Sequence, residues 1–310
     1  MAPPALPDKS IVEEILLVRL AVKSVHGHHI RLSILSRSTL SEMHIDDVPY
    51  LASSKNRSKD EMHIIGSING LVCLGSFSIE HQCIMLWNPS IHLFKKIIPQ
   101  RRVSSMLGFS WDPVENDYKF IAELYDSSKA IVYSYKTDCW SDIVVPQFVC
   151  GYYLYMFPSA IVKDICYWKR AGNSSKILKF EAKNNQLTYL DIPCVCGSYS
   201  LVNLNDCLAR IDYAWDGSGP MDVYNFHEES SCRSKIYTFN TEIAHFRCFL
   251  TCFKSGGMIF EFDGKLNLYD PKSNEIKSFG CYNGTNGFAL HGFSDTPTLV
   301  VLEGMKPLHQ

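Results

Sequence analysis

Short apolar runs separated by polar turns fill most of this chain, the pattern of a protein built from strands rather than long amphipathic helices. Residues 84–97, IMLWNPSIHLFKKI, show the unit. Asn88-Pro89-Ser90 is turn chemistry, because proline pre-sets φ while asparagine and serine hydrogen-bond their own backbone, and the flanking runs carry strand-forming side chains. With Trp87 as anchor, an aromatic that closes one run ahead of a polar turn and a second run, four further copies appear at Tyr133, Phe180, Tyr224 and Tyr269, spaced by 44 to 47 residues. Seven residues beyond the anchors stand Phe94, Trp140, Leu187, Ser231 and Ile276, and ten beyond stand Ile97, Ile143, Leu190, Ser234 and Phe279. Offsets that differ by three point to opposite faces of a strand, so both faces of each sheet are expected to be covered. Only the fourth copy lacks apolar residues there, and its polar run at 229–234 predicts a longer loop.

Further strand-like runs precede the anchors at 69–74, 118–124, 164–168, 207–212 and 258–262, several with Gly, Asn or Asp just upstream. Each repeat thus offers three or four strands. Sheets covered on both faces and repeated every ~45 residues predict a β-propeller, whose blades pack radially and leave few free edges, the alternative being a stack of hairpins without closure such as a β-sandwich. A sixth anchor would fall beyond Gln310, yet residues 298–302, TLVVL, form a strong strand pattern. The expectation is a mainly β ring of five or six blades, the last shared between this C-terminal run and strands before Gly66, with residues 63–65 as a candidate.

The N-terminal segment reads differently. Ser10-Ile11-Val12-Glu13 fits a capping box, and Ile11, Ile15, Val18, Val22 and Val25 follow at spacings of three and four, which predicts a helix with one apolar face. Leu16 and Leu20 widen that face, so the helix packs either on the propeller or on a partner. Residues 53–61, SSKNRSKDE, have no apolar periodicity and predict a linker or loop, placing a domain boundary between Val25 and Met62.

Composition adds limits. Apolar residues make up 46% and charged residues 20% of the 310, which excludes wholesale disorder. Thirty Lys plus Arg stand against 32 Asp plus Glu, so no global basic field invites nucleic acid or anionic lipid. No apolar window approaches a membrane span and the N-terminus has no export signal. The chain therefore reads as intracellular, in the cytoplasm, the nucleus or both, with its 12 cysteines as reduced thiols and the sequons at Asn56, Asn173 and Asn283 unused.

Enzyme signatures are absent: there is no Gly-x-Ser-x-Gly, no Gly-rich phosphate loop and no His-Glu-x-x-His. His26, His28 and His29 lack a neighbouring cysteine or carboxylate at ligand spacing, and Cys194/Cys196 and Cys248/Cys252 lack a second pair, so no metal or cofactor is expected. Asp112 and Asp138 read as turn-capping carboxylates, and Trp87, Trp111, Trp140 and Trp168 as blade core. Residues 95–102, KKIIPQRR, read as an inter-blade connection rather than an import patch.

Several motifs, taken in order, resemble the plant F-box proteins that carry an F-box-associated domain, a group that includes the S-locus F-box-like and F-box/kelch-like proteins. They are Gly66-Ser67-Ile68-Asn69-Gly70-Leu71, Trp87-Asn88-Pro89-Ser90, Gly108-Phe109-Ser110-Trp111-Asp112-Pro113 with Asn116-Asp117-Tyr118-Lys119, and the run from Val132 to Trp140, VYSYKTDCW. Weaker similarity continues to about residue 280. Leu6-Pro7, Ile15-Leu16 and the run from Arg19 to Val25 are similar to the start of an F-box, with Ala21 where the family has proline, so this part reads as a degenerate or truncated F-box.

The resemblance implies a degenerate F-box-like helical segment at 1–40, a linker and candidate ring-closing strand at 41–65, and the propeller domain at 66–310. It implies a non-catalytic substrate-recognition subunit of an SCF-type cullin-RING ubiquitin ligase. Leu6, Pro7, Ile11, Ile15, Leu16, Leu20, Val22 and Val25 would dock on a Skp-family adaptor, and the propeller loops would hold a protein target. The alternative is a truncated protein-binding module that no longer engages the ligase.

Overall fold

A computed structural model of the chain describes residues 15–24, 27–36, 42–45, 62–77, 82–88, 91, 93–125, 129–146, 159–169, 175–192, 198–214, 219–228, 232–239, 246–252, 257–262, 265–270, 272–281, 290–293 and 304–307. The chain opens with β1 (Ile15–Ser24), β2 (Gly27–Ser36) and β3 (Glu42–Ile45). A first blade follows: β4 (Met62–Ile68), β5 (Leu71–Phe77), β6 (Gln82–Asn88) and β7 (Leu93–Ile97). The second blade is β8 (Val103–Asp112), β9 (Asp117–Leu124), β10 (Ala130–Ser134) and β11 (Cys139–Ile143). The third is β12 (Ala160–Val162), β13 (Ile165–Lys169), β14 (Lys176–Glu181) and β15 (Gln186–Asp191).

The fourth blade comprises β16 (Ser198–Leu204), β17 (Cys207–Tyr213), β18 (Met221–His227) and β19 (Cys232–Phe239). The fifth comprises β20 (Phe246–Cys252), β21 (Met258–Phe262), β22 (Lys265–Asp270) and β23 (Glu275–Cys281). Two strands remain, β24 (Leu290–Phe293) and β25 (Lys306–Pro307).

Five blades are therefore antiparallel meanders of consecutive strands, and a sixth sheet, in the order β24-β1-β2-β3, joins the two ends of the chain. The first strands of neighbouring sheets touch around the ring: β4 on β8, β12 on β16, β16 on β20, β20 on β24, and β24 back on β4, while β8 meets the third blade through β13. Closure of this kind leaves only short, protected inner edges.

The repeat maps onto this frame. Trp87, Tyr133, Phe180, Tyr224 and Tyr269 all stand on the third strand of their blade. Four of them face the residue seven positions on across the ladder, Phe94, Trp140, Leu187 and Ile276. In the fourth blade the ladder runs further past the anchor, to His227 opposite Cys232, so residues 232–234 of the polar run are strand rather than the longer loop expected, and Tyr224 faces Lys235 beside a one-residue register shift.

Apolar layers fill the spaces between blades. Leu86, Tyr118, Phe120 and Tyr133 belong to the core of the first and second, and Val132, Trp168, Leu178 and Phe180 to that of the second and third. Tyr167, Tyr199, Leu201 and Phe226 belong to the third and fourth, and Val223, Phe239, Phe260 and Tyr269 to the fourth and fifth.

Two expectations are corrected. Residues 15–24 form a strand, not a helix: β1 pairs along its whole length with β2 and at Ile15 to Val18 with β24. A run apolar at nearly every position satisfies spacings of three and four while equally suiting a strand, and pairing on both edges decides the outcome. The proposed capping box at 10–13 lies outside the described residues. The ring is closed by Leu290–Phe293 with β1, β2 and β3, whereas residues 63–65 belong to β4 of the first blade, and residues 298–302 lie outside the described residues.

Candidate functional site: the open rim of the propeller

Connections between strands leave the ring on two rims, and the two are built differently. On one rim the first-to-second-strand turns are two residues long, Asn69-Gly70, Lys163-Asp164 and Asn205-Asp206, with both residues of each pair at positive φ. That conformation matches the strand twist of a tight hairpin, and Asn, Asp and Gly tolerate it best. On the same rim, the four-residue turns 113–116, 135–138 and 182–185 end in Asn116, Asp138 and Asn185, again at positive φ, as does Asn274 ahead of β23.

Side chains lock these turns. Asp112 accepts hydrogen bonds from the backbone N–H groups of Val114 at 2.9 Å and Glu115 at 3.1 Å, and Asp117 accepts from Lys136 N–H at 2.8 Å and Ser134 Oγ at 2.6 Å. The anchor hydroxyls do likewise: Tyr269 donates to Asn274 Oδ1 at 2.9 Å, and Tyr133 donates to Asp138. The Tyr133 hydroxyl and then Lys95 hold the Asp138 carboxyl below the usual carboxylate range, whereas burial first and the Asp138 bond second push the Tyr133 hydroxyl up. Asp112 and Asp138 are thus turn locks, and this rim is scaffold.

The opposite rim carries the second-to-third-strand connections and the links between blades, among them the long connection from Ile143 to Ala160. Around the second blade its described residues include exposed apolar side chains and two arginines. Ile98, Tyr125 and Val144 are exposed to 65%, 58% and 89%. Arg102 stacks on the Tyr125 ring, 4.1 Å from its centroid, while Tyr125 N–H donates to the Arg102 carbonyl at 3.0 Å. Arg101 pairs with Asp142, and a groove of about 560 Å³ runs down the outer face between the second and third blades, from Val144 and Pro146 at this rim to Asn185 and Gln186 at the locked-turn rim. Aromatic and arginine side chains are enriched in protein-binding surfaces, which makes this rim the candidate site. The basic run at 95–102 is occupied accordingly: Lys95 pairs with Asp138 at 3.0 Å, so with Arg101 and Arg102 it stitches the first blade to the second.

One further group on this rim has unusual chemistry. Burial pushes the Lys169 ammonium down to about 8. Its Nζ donates to the Tyr199 carbonyl at 2.6 Å and lies 4.1 Å from the Tyr199 ring centroid, so it ties the third blade to the fourth. Among the described residues no cluster of three His, Cys, Asp or Glu side chains is arranged to hold a metal ion.

Of the residues expected to dock an adaptor, Ile15, Leu16, Leu20 and Val22 lie in β1, while Leu6, Pro7, Ile11 and Val25 lie outside the described residues. His28 and His29 fall in β2, and Cys248 and Cys252 in β20; His26, Cys194, Cys196 and the three sequons lie outside the described residues. Trp87 and Trp168 are fully buried, and Trp111 and Trp140 pack partly buried against the first inter-blade core. Sequence reasoning did not find the Arg102–Tyr125 stack, because no local pattern joins the end of β9 to the link that precedes β8. Cys73, Cys83 and Cys166 are buried and in no disulfide.

Comparison with known proteins agrees with this geometry. The model of the F-box associated beta propeller domain matches residues 21–224, from β1 through the third strand of the fourth blade. A putative F-box protein of Arabidopsis thaliana is 32% identical over 88 residues, 27% of this chain and 23% of that protein. An F-box/kelch-repeat protein of the same plant is 23% identical over 180 residues, 50% of this chain and 46% of that protein. The chain thus spans less than half the length of these curated relatives. Among solved structures, TolB from Acinetobacter baumannii is 11% identical with a TM-score of 0.55 over 90% of this chain and 66% of that one, a likeness of fold alone. With the family match covering most of its length and the ring of antiparallel sheets in place, this chain belongs to the F-box associated β-propeller domain family.

Proposed function

We propose that the chain is a non-catalytic target-recognition subunit of an SCF-type cullin-RING ubiquitin ligase, working in the cytoplasm or nucleus. The propeller holds a protein target on its open rim, and a Skp-family adaptor links it to the ligase. The observation that carries this reading is the family match across 21–224, supported by relatives that are F-box proteins. The asymmetry of the rims supports the placement of the target: tight locked turns on one side, and an exposed apolar and arginine surface on the other. No helix among the described residues is long and apolar enough to cross a membrane.

A second reading, a protein-binding module that does not engage the ligase, is favoured by one observation. β1 is paired on both edges, so adaptor docking through Ile15, Leu16, Leu20 and Val22 would draw that strand out of the closing sheet. A pull-down of the full chain on an immobilised Skp-family adaptor separates the two. Capture is expected, and Leu6→Asp with Ile11→Asp, which lie ahead of β1 and leave its ladder intact, is expected to abolish it. No capture of a chain whose circular dichroism shows a folded propeller would remove the ligase reading and leave the module.

A further inference from the structure

Among the described residues, only the first blade carries a strand beyond its fourth. β25 pairs antiparallel with the outer edge of β7, Lys306 opposite Phe94 and Pro307 opposite Leu93, whereas β11, β15, β19 and β23 end their sheets. We propose that this edge, Leu93–Ile97, is a strand-addition site for an extended segment of a partner protein, and that this chain's own residues 304–307 occupy it in cis.

The cis occupant is held by little. Among the described residues it makes two residue pairs, and one of the two residues is Pro307, which has no N–H to give to the ladder. Its side-chain anchor is Met305, packed against the core between the first and second blades. Gly304, at φ +80°, does not have the extended backbone that continued pairing along the edge would need. Continued antiparallel pairing would set Met305, Gly304 and Glu303 opposite Lys95, Lys96 and Ile97, yet the ladder stops at Phe94.

The receiving edge is firm. Lys95 is fixed by Asp138 at 3.0 Å and lies 4.3 Å from the Tyr135 ring centroid, and Ile97 is buried. A preordered edge with a shorter native occupant favours a longer one, since main-chain hydrogen bonds supply affinity and one side-chain pocket supplies specificity. The partner that fits is an extended segment with a long unbranched apolar anchor in the Met305 position, a basic residue and a proline after it, and strand-forming residues instead of Glu303 and Gly304 before it. This reading is independent of the ligase assignment.

The probe is a fluorescein-labelled peptide of residues 301–310 carrying Glu303→Thr and Gly304→Val, titrated by anisotropy into the full chain. The Met305→Asp chain, with its anchor removed, is expected to bind the peptide at least ten-fold more tightly than the unmodified chain. Amide hydrogen exchange at Leu93–Ile97 is expected to quicken in that variant and to slow again when the peptide is added. Because Met305 touches the core, Lys306→Pro serves as the second variant: its side chain is exposed, so the change opens no cavity, and it takes the N–H from the first residue of β25. Equal affinity for unmodified and variant chains, or exchange at Leu93–Ile97 that neither the variants nor the peptide alter, would overturn the proposal.

Discussion

Trp168→Ala is expected to lower the stability of the propeller by about 3–5 kcal/mol, the cost of emptying a fully buried tryptophan site. Trp168 is 0% exposed, in β13 of the third blade, and its ring lies against β8 of the second. Its indole N–H donates to the Leu107 carbonyl at 3.2 Å, and two residues earlier Cys166 Sγ donates to the Phe109 carbonyl at 3.2 Å. Truncation therefore removes apolar contact and strands a buried acceptor together. Between those two carbonyls sits Gly108, where an added Cβ would come 2.7 Å from Trp168 Cζ2 and 3.0 Å from Ile121 Cγ2. The ring takes the space a side chain at 108 would need. Gly108→Ala is accordingly expected to destabilise the parent chain, and to do so by at least about 1 kcal/mol less when Trp168 is already alanine, the coupling that residues in contact show. Urea midpoints of the four chains measure this. A Trp168→Ala loss below about 1 kcal/mol, or additive effects at the two positions, would mean that the second and third blades are not joined through this contact.

Much of this architecture was legible because propeller repeats are local. An aromatic anchor, a turn and an apolar residue seven positions on form one hairpin of one blade, and sequence spacing reports that hairpin directly: Trp87 faces Phe94, and Tyr133 faces Trp140. The same locality explains the two errors. Residues 15–24 have no repeat partner to compare with, and their apolar positions fit a helical face. Yet Leu16, Val18, Leu20 and Val22 also fall at alternate positions, as do Ile30, Leu32 and Ile34 in the next run, which is the hairpin signal that distinguishes the segment. The closing strand is chosen by where the ring ends, not by strand propensity, so the weak run Leu290–Phe293 pairs with β1. The open-rim surface was not legible either, since its Arg101–Asp142 and Arg102–Tyr125 contacts join separate connections that meet only after the blades pack.

The family motif around Asp112 and Lys119 was read as a turn, and the structure gives it a second task that produces the other large effect. Lys119 Nζ is bonded to Asp112 Oδ2 at 2.7 Å, to the Ala182 carbonyl at 2.9 Å and to Asn185 Oδ1 at 3.0 Å, so one ammonium ties the second blade to a turn of the third. Both partners are out of solvent, with side-chain exposures of 8% for Lys119 and 0% for Asp112. Removing one member of such a pair leaves a buried charge without its counterpart, so Asp112→Ala is expected to cost about 3–5 kcal/mol. Lys119→Met is expected to cost less, about 1–3 kcal/mol, because the Asp112 carboxylate loses its counter-charge at Oδ2 but keeps two backbone donors, while the neutral acceptors at 182 and 185 lose a partner.

The pair also sets a pH dependence. Burial works to raise the Asp112 carboxyl, but Lys119 and the N–H groups of Glu115 and Val114 outweigh it and hold the carboxyl below its ordinary value. The unfolded chain then takes up that proton more readily than the native one. The stabilisation is complete above the unfolded aspartate value of about 3.9 and is lost as pH falls through the lower native value. The stability gap between the unmodified chain and Lys119→Met should therefore be constant near neutrality and narrow on acidification below about pH 4. Urea unfolding at a series of pH values reads this directly. A gap that stays constant to pH 3, or a Lys119→Met loss larger than that of Asp112→Ala, would show that the ion pair is not what joins these two blades.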